Sequence, residues 1–318
     1  MSGEPTPSFN KKVLFSTPSV DVLDYREHLF TKFARNMTSL LESQRPKRYS
    51  SNRGLLDTRR LYRHQMEDNV FYKKTNVPSS DTTFVFLIDA SGSMNASTSV
   101  KHNDNWFDRI DVCNAIVSAF AKANKAILNN RIKMEVFTKT EGGVVFDSFV
   151  KGYVPMLSRV FSNVHGDTDW DKICGLTTTA PITTGNGQTT GSYTPEFLTL
   201  PPLMQWAKKN ITTKNMVVVN LTDGDVVHQF IPRESITSYK KNRHAISCYR
   251  AYNEDTKALR IKYLRGVPNV TLFLGQGYGD HHENSIKDMY GQNAVCADDH
   301  NFDVQLFKTL NRLLNDYA

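Results

Sequence analysis

Two apolar runs, each ending on a carboxylate, constrain this chain more than any other feature. Phe84-Val85-Phe86-Leu87-Ile88 leads straight into Asp89-Ala90-Ser91-Gly92-Ser93-Met94. Much later, Met216-Val217-Val218-Val219-Asn220-Leu221 leads into Thr222-Asp223-Gly224-Asp225. Runs of β-branched and aromatic residues without polar alternation read as strands buried on both faces, the kind found in parallel sheets covered by helices. The carboxyl ends of such strands are where open α/β sheets hold their ligands. Asp89, Ser91 and Ser93 offer hard oxygen donors, and Gly92 lets the chain turn so that they face one point. The simpler alternative is helix capping, because Asp and Ser are good N-caps and Ser-Gly is ordinary turn chemistry. The second loop of the same kind favours one shared cation site.

Around these runs the chain alternates in a βα rhythm. Val22, Leu29, Phe33, Met37 and Leu40 recur at helical spacing after Thr17-Pro18, which predicts an amphipathic helix over 18–43. The polar stretch 44–54 reads as a linker, 55–67 as a short helix and 70–80 as an extended connection. Strand 83–89 precedes a long helix over 107–129, with Ile110, Cys113, Val117, Phe120, Asn124 and Ile127 on one side. Segments 132–137 and 144–149 flank Thr140-Glu141-Gly142-Gly143, which predicts a β-hairpin at a sheet edge. Helices are expected near 153–163, 195–210, 251–265 and 281–290, and strands at 215–222, 269–275 and 292–297. A last helix over 303–316 places Leu306, Leu310, Leu313 and Tyr317 on a buried stripe. The class predicted is α/β: a doubly wound, mostly parallel, Rossmann-like sheet with one antiparallel edge strand, behind a small helical N-terminal region.

The implied organisation is a disordered tail over 1–16, a helical extension with a basic linker over 17–80, and one large domain over 81–318. Within that domain, 165–193 is rich in Thr, Gly and Asp and carries no periodicity. A stretch of that length is usually functional, and it is expected to overhang the cation site.

With 39% hydrophobic and 11% aromatic residues, the chain of 318 can build a packed core, which excludes wholesale disorder. No apolar run approaches the ~20 residues of a membrane span, and Met1 to Lys12 lacks a signal-peptide core. Cys113, Cys174, Cys248 and Cys296 form no CxxC pair and read as buried thiols of a cytoplasmic protein. Of the net charge of +7, nearly all falls in residues 1–80, which carry 14 Lys and Arg against 8 Asp and Glu. Arg45, Lys47, Arg48, Arg53, Arg59, Arg60 and Arg63 crowd together there with only Asp57 among them. Such a cluster docks on an acidic protein surface or on nucleic acid phosphates, or is simply a solvated linker.

Other constellations are weaker. Asp167, Asp169 and Asp171 resemble half of a calcium loop, but Lys172 stands where an EF-hand needs glycine. His281-His282-Glu283 reads as a solvated helix start before it reads as a metal ligand set. The two oxygen-bearing loops contain no His or Cys, which argues against zinc-type catalysis, and the chain has no P-loop, nucleophile elbow or HExxH.

The first loop, Asp89-x-Ser91-x-Ser93, resembles the metal-ion-dependent adhesion site of the von Willebrand factor A family. That resemblance implies a Mg²⁺ ion (or another divalent cation such as Mn²⁺ or Ca²⁺) held directly by Ser91 and Ser93 and by a threonine from a second loop. Asp89 and Asp223 would act largely through water, and one position would be left for a carboxylate from a partner. Gly191-Ser192-Tyr193-Thr194-Pro195-Glu196 is the favoured second loop, with Thr194 as ligand and Pro195 opening the next helix. Gly187-Gln188-Thr189-Thr190 competes with it. Asp225 and Glu196 are candidate outer-shell groups.

Upstream, Arg53-Gly54-Leu55-Leu56-Asp57-Thr58-Arg59-Arg60-Leu61 is similar to a segment of the T subunit of aerobic cobaltochelatase. The likeness continues in Lys133-Met134-Glu135-Val136, in Leu221-Thr222-Asp223-Gly224 and in Leu274-Gly275-Gln276-Gly277-Tyr278-Gly279-Asp280. Against it, the N-terminal region is short and basic where that family's is longer and acidic, and Asp-Gly-Ala-Pro-Val is Asp-Gly-Asp-Val-Val here. The resemblance implies a subunit without catalytic power of its own in the cytoplasm of a bacterium or a virus-infected bacterial host. Its partner would be a hexameric AAA+ ATPase of the cobaltochelatase S-subunit or MoxR kind, or a client with an exposed Asp or Glu. A working part in inserting metal into a tetrapyrrole is the alternative, and nucleic-acid binding through residues 45–63 a further one.

Overall fold

The apolar run ending on Asp89 lies at the centre of an eight-stranded sheet in a computed structural model of the chain. The structure describes residues 15–43, 48–51, 55–56, 71–74, 81–146, 149–178, 182–183, 189–190, 196–223, 228–230, 249–251, 253–274, 286–296, 305, 307–310 and 312. The sheet strands are β1 (Thr82–Asp89), β2 (Lys133–Phe146), β3 (Phe149–Ser162), β4 (Asn215–Thr222), β5 (His228–Phe230), β6 (Tyr249–Ala251), β7 (Asn269–Phe273) and β8 (Ala294–Cys296). Their spatial order is β6-β5-β3-β2-β1-β4-β7-β8. Strands β2, β1, β4, β7 and β8 run parallel, β3 lies antiparallel beside β2, and short β5 and β6 extend that margin. The chain is α/β with a mostly parallel sheet, as its alternating pattern predicts.

Every residue of β1 is buried, because helices cover both faces. Phe84, Phe86 and Ile88 face a layer built from α1 (Val20–Ser43) and α2 (Arg109–Leu128), joined by the short α3 (Asp171–Cys174). Val85 and Leu87 face the opposite layer, built from α4 (Leu200–Asn210) and α5 (Asn253–Tyr263).

Helix α1 is an integral part of its layer. Val22, Tyr25, Leu29, Phe33 and Met37 fall on one face at helical spacing and are buried. Phe33 meets Phe120 of α2 edge-on at 5.4 Å and Phe307 at 4.5 Å. Lys122 Nζ donates to Glu27 Oε2 at 2.6 Å, and Arg26 pairs with Asp171. The first part of the Thr/Gly-rich segment is drawn into the same layer, and most of 179–193 lies outside the described residues. Ile173, Cys174 and Leu176 are buried there, and the Asn114 amide donates to Leu176 O at 2.8 Å.

Four expected elements differ. Strand β2 runs unbroken through residues 140–143, where a turn is predicted, and pairs with β3 as far as Phe146 opposite Phe149. The helix predicted over 153–163 is the second half of β3. A bulge explains the misreading: Val136 pairs with Phe161 and Phe137 with Arg159, so Val160 is an extra residue. Leu157, Val160 and Phe161 are therefore all buried at i, i+3 and i+4, which imitates a helical face. Finally, 48–51, 55–56 and 71–74 form a small antiparallel sheet, so the predicted linker over 44–54 and the predicted helix from 55 both contain strand.

A further piece is a β-ribbon between the first loop and α2, formed by Ser97–His102 and Asn105–Asp108. Asn103 and Asp104 turn it with φ of 48° and 65°, left-handed values that these two residue types tolerate.

Candidate metal centre

From β1 the chain builds β2 and β3 to one side, then returns to place β4 on the other. The crevice outside the carboxyl ends of β1 and β4 is thus the topological switch point of the sheet, the usual ligand position in this class. Ile88 lies opposite Leu221, so Asp89 and Thr222 come next on the two strands. The Thr222 hydroxyl donates to Asp89 Oδ2 at 3.0 Å and closes the crevice floor.

The first loop then folds over this floor. Asp89 Oδ1 accepts the Ser91 N–H at 2.8 Å, a local turn that short acidic side chains favour. Residues Gly92–Asn95 make one 3₁₀ turn, anchored by fully buried Met94. Ser91 stands at the N-cap of that turn and makes no capping hydrogen bond. Its Oγ lies 3.0 Å from Ser93 Oγ instead, and Ser93 Oγ donates to Asp223 Oδ1 at 3.0 Å. Asp89, Ser91, Ser93, Asp223 and Thr222 therefore form a closed ring of oxygen groups. Asp89 and Ser91 are fully buried, Asp223 is nearly so, and Ser93 sits at the open rim.

Charged groups surround the ring. Arg109, the first residue of α2, places Nη1 on Asp223 Oδ2 and 3.4 Å from Ser93 O. On the floor side, Lys139 Nζ donates to Glu196 Oε2 at 3.1 Å with both side chains wholly out of water. Thr222 also donates to Glu196 Oε1, and the Asn220 amide donates to Oε2 at 3.5 Å. Glu196 is held at φ 30°, a left-handed conformation that costs free energy for a side chain of its size.

The pocket holds more acidic than basic side chains. Burial pushes the Glu196 carboxyl above its ordinary range, opposed by Lys139 and aggravated by Asp89. Burial and then Asp89 push Asp223 up as well, opposed by Arg109. Three carboxylates share the pocket with two basic side chains, and mutual repulsion adds to desolvation. Burial and the nearby Asp89 and Asp223 raise the Cys113 thiol well above its ordinary range, which disfavours the thiolate.

The donor set fits a small hard cation. Adjacent ligands of an octahedral ion with bonds of about 2.1 Å lie about 3.0 Å apart, the spacing from Ser91 Oγ to Ser93 Oγ and from Ser93 Oγ to Asp223 Oδ1. Among the described residues no group of three His, Cys, Asp or Glu side chains is arranged to hold a metal. A site here depends on hydroxyls, which suit Mg²⁺ and not zinc.

Asp89, Ser91, Ser93 and Asp223 are thus brought together from two strands. Glu196 reaches the ring through Thr222. Thr194 and Asp225 lie outside the described residues, as do Arg45, Lys47, Arg53, Arg59, Arg60, Arg63 and His281-His282-Glu283; Arg48 opens the first strand of the small sheet. Thr189 and Thr190 form a two-residue strand paired with Ile182 and Thr183. The three aspartates of the suspected calcium loop go to separate partners: Asp167 to Ser162 N, Asp169 to Lys172 N and Asp171 to Arg26. Sequence reasoning missed Arg109 and Lys139. Lys139 sits inside the predicted hairpin, and Arg109 is separated from Ser93 by the ribbon.

No family model matches the chain, and no curated protein matches it. Among solved structures it is similar to the PilB minor pilin from Streptococcus sanguinis, with a TM-score of 0.45 and 13% identity over 78% of this chain and 64% of that one. It therefore spans less than two thirds of that pilin's length. An uncharacterized membrane spanning protein from Vibrio fischeri matches with a TM-score of 0.20 and 10% identity, over 73% of this chain and 98% of that one. Likenesses this low carry no argument about fold or function. Among the described residues, no helix is long and apolar enough to cross a membrane.

Proposed function

We propose that the chain is a divalent-metal-dependent adaptor that grips an acidic side chain of a partner protein. The reading rests on one observation: the hydroxyls of Ser91 and Ser93 and the carboxylate of Asp223 are spaced at 3.0 Å steps over Asp89, at the switch point of the sheet. Ser91, Ser93, Asp89 and Asp223 would hold Mg²⁺, with Mn²⁺ or Ca²⁺ as substitutes and Thr194 as the expected contribution of the second loop. A cation held mainly by neutral hydroxyls keeps enough charge to attract one more carboxylate. Thr222 and the Ser91 N–H orient Asp89, while Lys139 offsets Glu196, so the ring is set before any ligand arrives.

The partner in this reading is a cytoplasmic AAA+ ATPase of the MoxR or cobaltochelatase S-subunit kind, or a client of one, that presents an exposed Asp or Glu. The free thiols Cys113 and Cys174 agree with a reducing compartment. The chain itself would do no bond chemistry. Calorimetric titration of Mg²⁺ and Mn²⁺ into the purified chain tests the site: saturable binding lost in Ser91→Ala and Asp89→Ala supports it. Capture of a candidate ATPase tests the grip, which should vanish with EDTA and with Asp89→Ala. Capture that ignores both changes rules it out.

A further inference from the structure

We infer that Arg109 is a resident cation of this site, which competes with the divalent ion for Asp223 and so sets the affinity of the metal. The inference deepens the metal reading above and rests on it. The Arg109 guanidinium is paired with an Asp223 side chain that is completely shielded from water, while its own side chain is 12% exposed. The same Nη1 approaches the Ser93 backbone carbonyl at 3.4 Å, so the guanidinium lies beside the ring and takes Asp223 Oδ2, while Ser93 Oγ holds Oδ1 of the same carboxylate. Its backbone is fixed independently, because Arg109 N donates to Ala96 O at 3.0 Å where the ribbon rejoins the first loop.

The arm is held by charge more than by a full set of hydrogen bonds. Arg109 Nε is buried and has no hydrogen-bond partner. A guanidinium bound in place as a structural fork would satisfy both faces of its donor set. Here Nη1 pairs with the carboxylate while Nε stays buried without a partner. A divalent ion at the ring brings more charge to the same carboxylate, and two cations sharing one carboxylate repel each other. With Nη1 on Oδ2 and the ion's place at Oδ1, the repulsion between the two cations would be subtracted from the metal's affinity.

The experiment is a calorimetric titration of Mn²⁺ and Mg²⁺ into the full-length wild-type chain, Arg109→Gln and Arg109→Lys. Thermal melts with and without the metal are run on each. Arg109→Gln should bind Mn²⁺ roughly tenfold more tightly or better, since an uncompensated carboxylate is left for the ion. Arg109→Lys, which keeps the charge on a flexible stem, should fall between. Without metal, Arg109→Gln should melt lower than wild type, and added Mn²⁺ should raise its melting temperature by more than it raises that of wild type. Equal or weaker binding by Arg109→Gln in a folded protein overturns the inference and leaves the metal site standing. Absence of binding to all three proteins overturns the site and the inference together.

Discussion

The Thr222 hydroxyl serves Asp89 and Glu196 at once, donating to Asp89 Oδ2 at 3.0 Å and to Glu196 Oε1. One side chain at the end of β4 thereby ties the tip of β1 to the turn that opens α4. A hydroxyl carries one hydrogen, so it serves the two carboxylates in turn while its oxygen stays within reach of both. Burial raises the Glu196 carboxyl, and Lys139 opposes that shift.

Thr222→Val keeps the shape and removes the donor. Both buried carboxylates lose a partner, and stability should fall by about 1–3 kcal/mol in urea unfolding. A variant as stable as wild type would show that the bridge contributes nothing.

The Lys139–Glu196 pair is fully buried. Lys139→Met leaves Glu196 without its counter-charge and should cost about 3–5 kcal/mol, whereas Lys139→Met combined with Glu196→Gln should recover much of that loss. A double-mutant cycle measures the difference; additive losses would mean that the two residues are not coupled.

Stability should decline as pH rises through the weakly acidic range. Burial lifts Glu135 from 4.5 to about 7, despite the Ser162 hydroxyl that donates to its Oε1 at 2.7 Å, and burial with Asp108 lifts Asp111 from 3.8 to about 6. Between the ordinary and raised values the folded chain binds more protons than the unfolded one, so the slope of unfolding free energy with pH is negative there and flat above about 7. Glu135→Gln should remove part of that slope and stabilise the protein in mildly alkaline buffer by roughly 1–3 kcal/mol. An unchanged slope in the variant would assign the effect to other groups.

Helix α1 should behave as core. Phe33→Ala, which empties a position 1% exposed between Phe120 and Phe307, should cost about 3–5 kcal/mol. If α1 were a free arm for a partner, the substitution would leave the melting temperature unchanged.

Much of this was legible in the sequence wherever each residue's preference for water or core is expressed locally. Strand β4 ends at Thr222, as its apolar run predicts, and α1 buries the face that its spacing marks. Asp89, Ser91, Ser93 and Asp223 were recognisable as one group because each carboxylate terminates a buried run. Strand β3 was misread because the bulge at Val160 puts two core residues side by side, a pattern that belongs to helices. Lys139 is not foreseeable from a pattern that places a turn at residue 140. Arg109 looked like any cation at a helix start.

By itself, then, the amino-acid sequence determined the α/β class, the buried central strands and the oxygen donors at their tips. Side-chain partition between water and core is decided by near neighbours, so it is written in short stretches of chain. Only the tertiary structure decided that Arg109 would meet Asp223, that Lys139 would meet Glu196, and that one threonine would bridge two acids. Those meetings depend on strand order and register, which are set by backbone pairing and packing summed over the whole sheet, and no single segment carries that sum.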